Sequence, residues 1–398
     1  MSVNILEKNK CTGCYACSNV CPKKCIKMER DSEGFVYPSI DEDLCVNCDL
    51  CNKVCPVLNK AEVKECTSEP KIYAAWSENM KIRYNSTSGG VFSELAIKFL
   101  ERGGYLCGAK YGKDHHIEHC IVNTREGLDE FRQSKYAQSD MGNVYTDIKN
   151  LLDEGKKVIF CGTPCACAGL INYVGEKREN LFIVDFICRG SNSPKVYEKF
   201  LAYLEKKYKS KIKKVWFKNK TYGWNKFSTK IEFENGQFYL EDRYHDLFIV
   251  GYIRYNLYMR PSCAECDYRG LPRVSDITLA DFWGVKMSDI SKDVEQGTSL
   301  VMINTSKGAE LFESIKENLY IEEKELEDTI KGNPSLFSSP VMNKKREYFF
   351  KNLDRVPLDR LARRCFRDEF SLKKTVRKAV SQIVPNEIKK SLKAYRKG

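Results

Sequence analysis

The stretch CTGCYACSNVCP, residues 11–22, returns 34 residues later as CVNCDLCNKVCP, residues 45–56, and both copies read C-x2-C-x2-C-x3-C-P. In such a run three thiolates wrap three corners of one iron-sulfur cubane, while the fourth cysteine, one helical step further on, points towards another. The spacing therefore predicts two 4Fe-4S clusters with crossed ligands. Cys11, Cys14, Cys17 and Cys55 are assigned to the first, and Cys45, Cys48, Cys51 and Cys21 to the second. Pro22 and Pro56 end the short helices that carry the fourth ligands. Gly13 relieves crowding in the first loop, and its counterpart Asn47 also tolerates unusual backbone angles. A pair of zinc sites is the alternative, but zinc has no use for a third and fourth cysteine at this spacing. Cys25 lies just outside the pattern and reads as a small buried residue.

Because neither half is complete alone, residues 1–58 are expected to form one α+β module of the ferredoxin type. The 398-residue chain leaves room for at least one larger domain. Its 42% hydrophobic and 12% aromatic content are globular values, and no run of 18 apolar residues occurs. The N-terminus lacks an apolar secretion signal, so a cytoplasmic location is expected, where nineteen cysteines are better read as metal ligands or packing residues than as disulfides. The net charge of +12 is uneven: residues 356–398 hold thirteen Lys/Arg against four Asp/Glu, which leaves about +3 for the rest.

Residues 59–70 are polar, lack a period and read as a linker. From residue 71 to about 340, apolar strand-like runs alternate with amphipathic helices: strands at 72–76, 105–111, 158–162 and 181–188, helices at 91–101, 143–153, 165–173 and 194–207. This predicts an α/β domain whose mixed sheet is covered on both faces. KVWFK, TKIEF and FYL around Asn235-Gly236 predict an antiparallel hairpin, before ITLADFW (277–283) and SLVMIN (299–304) resume the α/β pattern. Residues 341–398, broken by Pro357 and Pro385, read as a basic helical tail.

Four more cysteines stand at or just past the carboxyl ends of strands, where open α/β sheets bind ligands. They are Cys165 in GTPC, Cys188 at the end of LFIVDFIC, and Cys263 and Cys266 in RPSCAEC. Together they suit one further 4Fe-4S cluster. Buried packing cysteines plus half a zinc site is the competing reading.

Six segments, NSTSGGVFSEL (85–95), SKYAQSD (134–140), GTPCACAGL (162–170), DFICRG (185–190), RPSCAEC (260–266) and SDITLADFWG (275–284), resemble in the same order the beta subunits of coenzyme F-420-reducing hydrogenases and dehydrogenases. That flavoprotein family also includes plant 7-hydroxymethyl chlorophyll a reductase. The resemblance implies FAD beside a 4Fe-4S cluster held by the same four cysteines. No G-x-G-x-x-G follows a strand, so the flavin needs other contacts. Thr87, Ser88, Gly89 and Gly90 precede a helix and would suit its pyrophosphate, although Ser/Thr there is commonly just an N-cap. Ser134, Lys135, Tyr136, Gln138 and Ser139 supply a cation and donors, Thr163 belongs to the GTPC turn, and Asp281 and Trp283 are placed at the ring. Arg189 stands where the family usually has histidine, and Cys161 and Cys167 are also departures. His115, His116 and His119 with Cys120 superficially resemble a metal site, but a polar loop is the better reading.

Flavin and clusters together convert between hydride chemistry and one-electron carriers. The expected partners are a ferredoxin-type donor or acceptor and a small-molecule substrate or deazaflavin coenzyme. A noncatalytic electron-transfer subunit serving a partner enzyme is the rival. The basic tail suits that partner or an anionic membrane surface, which would put the protein at the inner membrane face; no motif points to nucleic acid.

Overall fold

The computed structural model describes residues 7–366 except 62, 64, 177, 290 and 293. Two short helices, α1 (Ala16–Val20) and α2 (Leu50–Lys53), and the antiparallel pair β1 (Ile26–Arg30) and β2 (Val36–Ile40) make the N-terminal module. Gly13, Tyr15, Asn47 and Asp49 all have positive φ, so both cysteine loops wind through left-handed turns before their helices.

The second unit centres on an eight-stranded mixed sheet. Its strands are β3 (Lys71–Ser77), β4 (Tyr105–Tyr111), β5 (Ile117–Val122), β6 (Val158–Gly162), β7 (Leu181–Phe186), β11 (Ile277–Asp281), β12 (Ser299–Ile303) and β13 (Leu319–Lys324), in the order β13-β3-β12-β11-β7-β6-β4-β5. β4, β6, β7 and β11 pair in parallel, while β5, β12 and β13 run against their neighbours. The carboxyl ends of β3, β4, β6, β7 and β11 therefore share one edge. Helices α3 (Met80–Asn85), α4 (Val91–Glu101), α5 (Arg125–Phe131), α6 (Val144–Asp153), α7 (Pro164–Val174) and α8 (Pro194–Tyr208) fill the connections. Alternation along β6 sends Val158 and Phe160 to the layer of α6 and α7, and Ile159 to the layer of α4. The N-terminal module docks on the first layer, with Tyr15 and Ala16 in the same core as Tyr145 and Leu170.

The foreseen hairpin is two strands of a three-stranded sheet: β8 (Ile212–Asn219), β9 (Ser228–Phe233) and β10 (Phe238–Asp242). It shares a core with α8. Asp246, fully buried, caps the next helix by accepting from Ile249 N and takes a bond from Tyr239 Oη at 2.9 Å. Burial lifts its carboxyl to about 6. The folded state thus binds this proton more tightly than the unfolded chain, so Asp246 supports folding below about pH 4 and loses that support as pH rises through 6. Asp246→Asn should flatten the urea stability profile between pH 4 and 7 and recover about 2–3 kcal/mol at pH 7.

Two expected boundaries differ. The 59–70 segment is laid onto the sheet: Ala61 is buried, Thr67 N donates to Asn304 O at 3.0 Å, and Cys66 Sγ donates to Ser275 O. The supposed tail begins inside the core, because Phe349, Leu353, Leu358, Leu361 and Cys365 pack with α8 and β8 through helices Arg346–Asn352 and Leu358–Phe366. Its helical period was legible, but not the apolar face waiting for it. Residues 367–398, with most of the basic excess, lie outside the described residues, as does any membrane or partner role for them. Among the described residues no helix is long and apolar enough to cross a membrane.

Candidate functional site

The tertiary fold brings the expected thiols together across the two motifs. Cys55 stands with Cys11, Cys14 and Cys17: charge on Cys11 and Cys55 bears on both Cys14 and Cys17, and charge on Cys11 bears on Cys55. Cys21, Cys45, Cys48 and Cys51 line a single open cavity. The first set is interior, with Cys11, Cys17 and Cys55 buried, whereas Cys48 is exposed. Cys25 lines the second cavity too, its Sγ 3.3 Å from that of Cys21, a proximity that buried-residue reasoning missed. Burial pushes the Cys14 thiol up to about 12, so thiolates here require a compensating cation, which cluster iron would supply. Among the described residues no three His, Cys, Asp or Glu side chains converge on a point fit for a single ion. A cubane asks for something different, namely thiols spread around a cage.

The dispersed cysteines also meet. Cys165 opens α7 directly after β6, Cys188 lies two residues beyond β7, and Cys263 and Cys266 sit in and after the turn Pro261–Glu265. Burial raises the thiols of Cys165, Cys188 and Cys263, and all three feel their neighbours in the set. Gly190, at φ +149, lets the chain turn tightly here: a Cβ would lie 2.9 Å from Met259 Sδ and 3.2 Å from Cys263 Cβ. Ser191 N donates to Cys263 Sγ at 3.4 Å, and Thr163 Oγ1 lies 3.3 Å from Cys165 Sγ, so Thr163 belongs with the thiols. This third set abuts the first: a Cβ on Gly169 of α7 would fall 3.0 Å from Cys14 Sγ.

The expected flavin contacts separate into groups. Thr87 Oγ1 meets Ser134 Oγ at 3.1 Å, Ser88 Oγ donates to Thr298 O, and Gly89 N donates to Ser299 Oγ. Gly90, at φ +93, is the N-cap of α4 and offers no side-chain cap, so the serine and threonine do not cap this helix as their position suggested. Buried Thr298 Oγ1 beside them has no partner. An uncapped helix start and the unpartnered Thr298 hydroxyl fit an anion such as a pyrophosphate. Glu94 already sits in this first turn, but its carboxylate is turned to Ser77 Oγ.

Asp281, at the end of β11, accepts from Lys218 Nζ and from Trp224 Nε1, and Trp283 stacks on Trp224 at 4.6 Å. Lys218 occupies a left-handed position, φ 56, where β8 slips register, and its ammonium lies 4.3 Å from the Trp283 ring. Strand alternation gives no hint of that bulge. Lys220 Nζ donates to Arg83 O, Ser88 O and Gln296 O, tying the 87–90 loop to this cluster. Tyr136 senses Asp281 and packs against Tyr252, which in turn senses Cys188 and Cys263.

The rest of the 134–139 segment faces elsewhere. Lys135 donates to Glu130 O and Arg132 O, and burial brings its ammonium down to about 7. Gln138 reaches the Cys11 loop, donating to Gly13 O at 3.1 Å, and Ser139 Oγ pairs with His119 Nδ1. His119 belongs to β5 rather than a polar loop, and burial drops it to about 4, which keeps the ring neutral at physiological pH.

The description of the coenzyme F420 hydrogenase/dehydrogenase beta subunit N-term matches residues 72–145, and that of its C terminus matches residues 155–329. The chain belongs to this beta-subunit family. A 4Fe-4S dicluster domain matches residues 10–59, ahead of the beta-subunit region. A chain of the F420-reducing [NiFe] hydrogenase complex from Methanosarcina barkeri is similar at 20% identity, over 69% of this chain and 88% of that one, with a TM-score of 0.45. Comparison with curated proteins returned no match. The chain is thus a beta-subunit-like, iron-sulfur electron-transfer protein of an oxidoreductase family.

Proposed function

We propose that this protein is an FAD-dependent oxidoreductase in which three 4Fe-4S clusters, on Cys11/14/17/55, Cys21/45/48/51 and Cys165/188/263/266, join a surface docking point to a flavin. The observation that carries this reading is the contact of α7, headed by Cys165, with the Cys14 thiol: it sets the third thiol group against the first, while the second lies at the surface. The order from outside inwards is then second, first, third. Tyr136 and Tyr252 continue from the third group to the Asp281 cluster, where the flavin ring is assigned, with Thr87–Gly90 and Ser134 at its phosphates.

When bound, FAD supplies the exchange between a hydride and single electrons. The chain's residues hold and orient: Lys220 fixes the 87–90 loop, and the largely buried Lys218–Asp281 pair sets charge beside the Trp283 ring. Leu44, Val46 and Leu50 are exposed beside the second thiol group, an apolar patch suited to docking a one-electron carrier. A ferredoxin-type donor feeding a two-electron substrate, small molecule or deazaflavin, is the favoured direction, because a fused cluster module suits such a donor.

Anaerobic purification with iron and flavin assays tests the reading. About 12 Fe and one FAD per chain are expected, against about 8 Fe for two clusters. Iron without flavin would sink the hydride-transfer role and leave an electron-transfer subunit for a partner enzyme. Bound zinc with no iron beyond the N-terminal module would sink the third cluster.

A further inference from the structure

Arg260 is 1% exposed, three residues before Cys263, and its guanidinium leaves its own domain to enter the N-terminal module. Nε donates to Cys11 O at 2.8 Å, Nη2 to Val36 O at 2.9 Å and Nη1 to Gln138 Oε1 at 2.7 Å. Its carbon lies 4.3 Å from the Tyr37 ring, and a Cβ on Gly13 would fall 2.8 Å from Nη1, so the first cysteine loop closes directly over it. Its backbone is anchored beside the third thiol group, taking Ser191 O at 2.8 Å and giving its own carbonyl to Cys263 N at 3.0 Å.

Those neutral oxygens satisfy donors but not charge. Among the described residues no carboxylate pairs with Arg260, and burying a lone cation costs several kcal/mol unless negative charge lies near. Another buried arginine, Arg273, has Asp185 at 2.7 Å. The negative charge that the cluster reading sets beside Arg260 is thiolate: Nε bonds the carbonyl of Cys11, and the arginine's own carbonyl holds Cys263 N. In a 4Fe-4S centre four thiolates outweigh the charge of the core, and each electron added makes it more negative.

We infer that Arg260 is the shared counter-ion of the first and third clusters, favouring their reduced forms while it clasps the two domains. This rests on the reading that both thiol groups hold clusters. It makes Arg260 a positioning and potential-setting residue, outside the ligand sets, at the junction every electron must cross between the module and the flavin.

The test uses full-length, anaerobically purified protein, with iron counted first and each cluster then followed by EPR in a potentiometric titration. Arg260→Gln, with iron still at about 12 per chain, should make reduction of the first and third clusters roughly tenfold less favourable, about 59 mV for a one-electron couple. The surface cluster should keep its potential. Arg260→Lys, which keeps charge but loses the fork, should shift them much less. Equal shifts in both variants, a common shift of all three couples, or no shift overturns the inference. Should Arg260→Gln fail to load iron, Gln138→Glu replaces it, since a carboxylate there neutralises the guanidinium across a retained contact. An unchanged first-cluster potential in that variant overturns the inference as well. Wild-type protein with only about 8 Fe would instead refute the underlying three-cluster reading.

Discussion

Cys165→Ser protein is expected to hold about 8 Fe per chain instead of about 12, with the two N-terminal clusters spectroscopically intact. Electrons delivered to the module should then reach the flavin orders of magnitude more slowly in stopped-flow mixing. Cys165 heads α7 after Pro164, with Thr163 Oγ1 at 3.3 Å, on the helix whose Gly169 packs against Cys14 Sγ. A serine hydroxyl is a poorer iron ligand than a thiolate, and the other three cysteines alone leave one iron corner open. Cys167→Ala is the control. That thiol is fully buried against Gly162 O at 3.6 Å, and its loss should leave iron at wild-type level. Retention of full iron and normal transfer in Cys165→Ser would refute the ligand assignment.

Arg273→Met should cost about 3–5 kcal/mol in urea unfolding, and the third cluster should be lost before the module's two. Asp185 on β7 is fully buried, taking Arg273 Nη2 at 2.7 Å and Thr278 Oγ1 at 2.5 Å. Removing the guanidinium strands a carboxylate in the interior. Asp185 lies three residues before Cys188, and Arg273 closes the loop that follows Cys266, so the same pair sets the approach of two segments of the thiol group. Replacing both partners, Asp185→Leu with Arg273→Met, removes the orphan charge and should restore most of the loss. A single variant within 1 kcal/mol of wild type would show that the pair contributes little, as an exposed one does.

The strands and helices were largely legible because their signals are local. IYAAW, YLCGAKY, VIFCG and the helix 91–101 lie where periodicity put them, within a residue or so. The sheet order was not, because pairing β12 with β3 joins segments over 200 residues apart, on which hydrophobic period is silent. Edge strand β13 escaped notice: its outward face is charged and its run short. Among the residues proposed for the site, Thr87 to Gly90 and Asp281 are named from loop position and resemblance. Lys218, Lys220, Trp224 and Arg260 join that proposal only through their tertiary contacts. A lysine in a strand normally reads as solvated, and only a bulge and the packing of three other elements bury these.

Sequence alone determined the cysteine chemistry: two C-x2-C-x2-C-x3-C-P runs specify cubane ligands because the spacing of thiols along a loop is a covalent property. It also placed Cys165 and Cys188 just past strand ends, whereas Cys263 and Cys266 lie in and after a turn away from any strand. What only the tertiary structure decided is how these groups adjoin: Cys14 against α7, the second cavity at the surface, and an arginine from one domain clasping the cysteine loop of the other. Those relations depend on a docking interface in which Cys11 and Arg260 stand 249 residues apart in the chain, and such contacts arise from complementary packing that leaves no periodic mark on either segment.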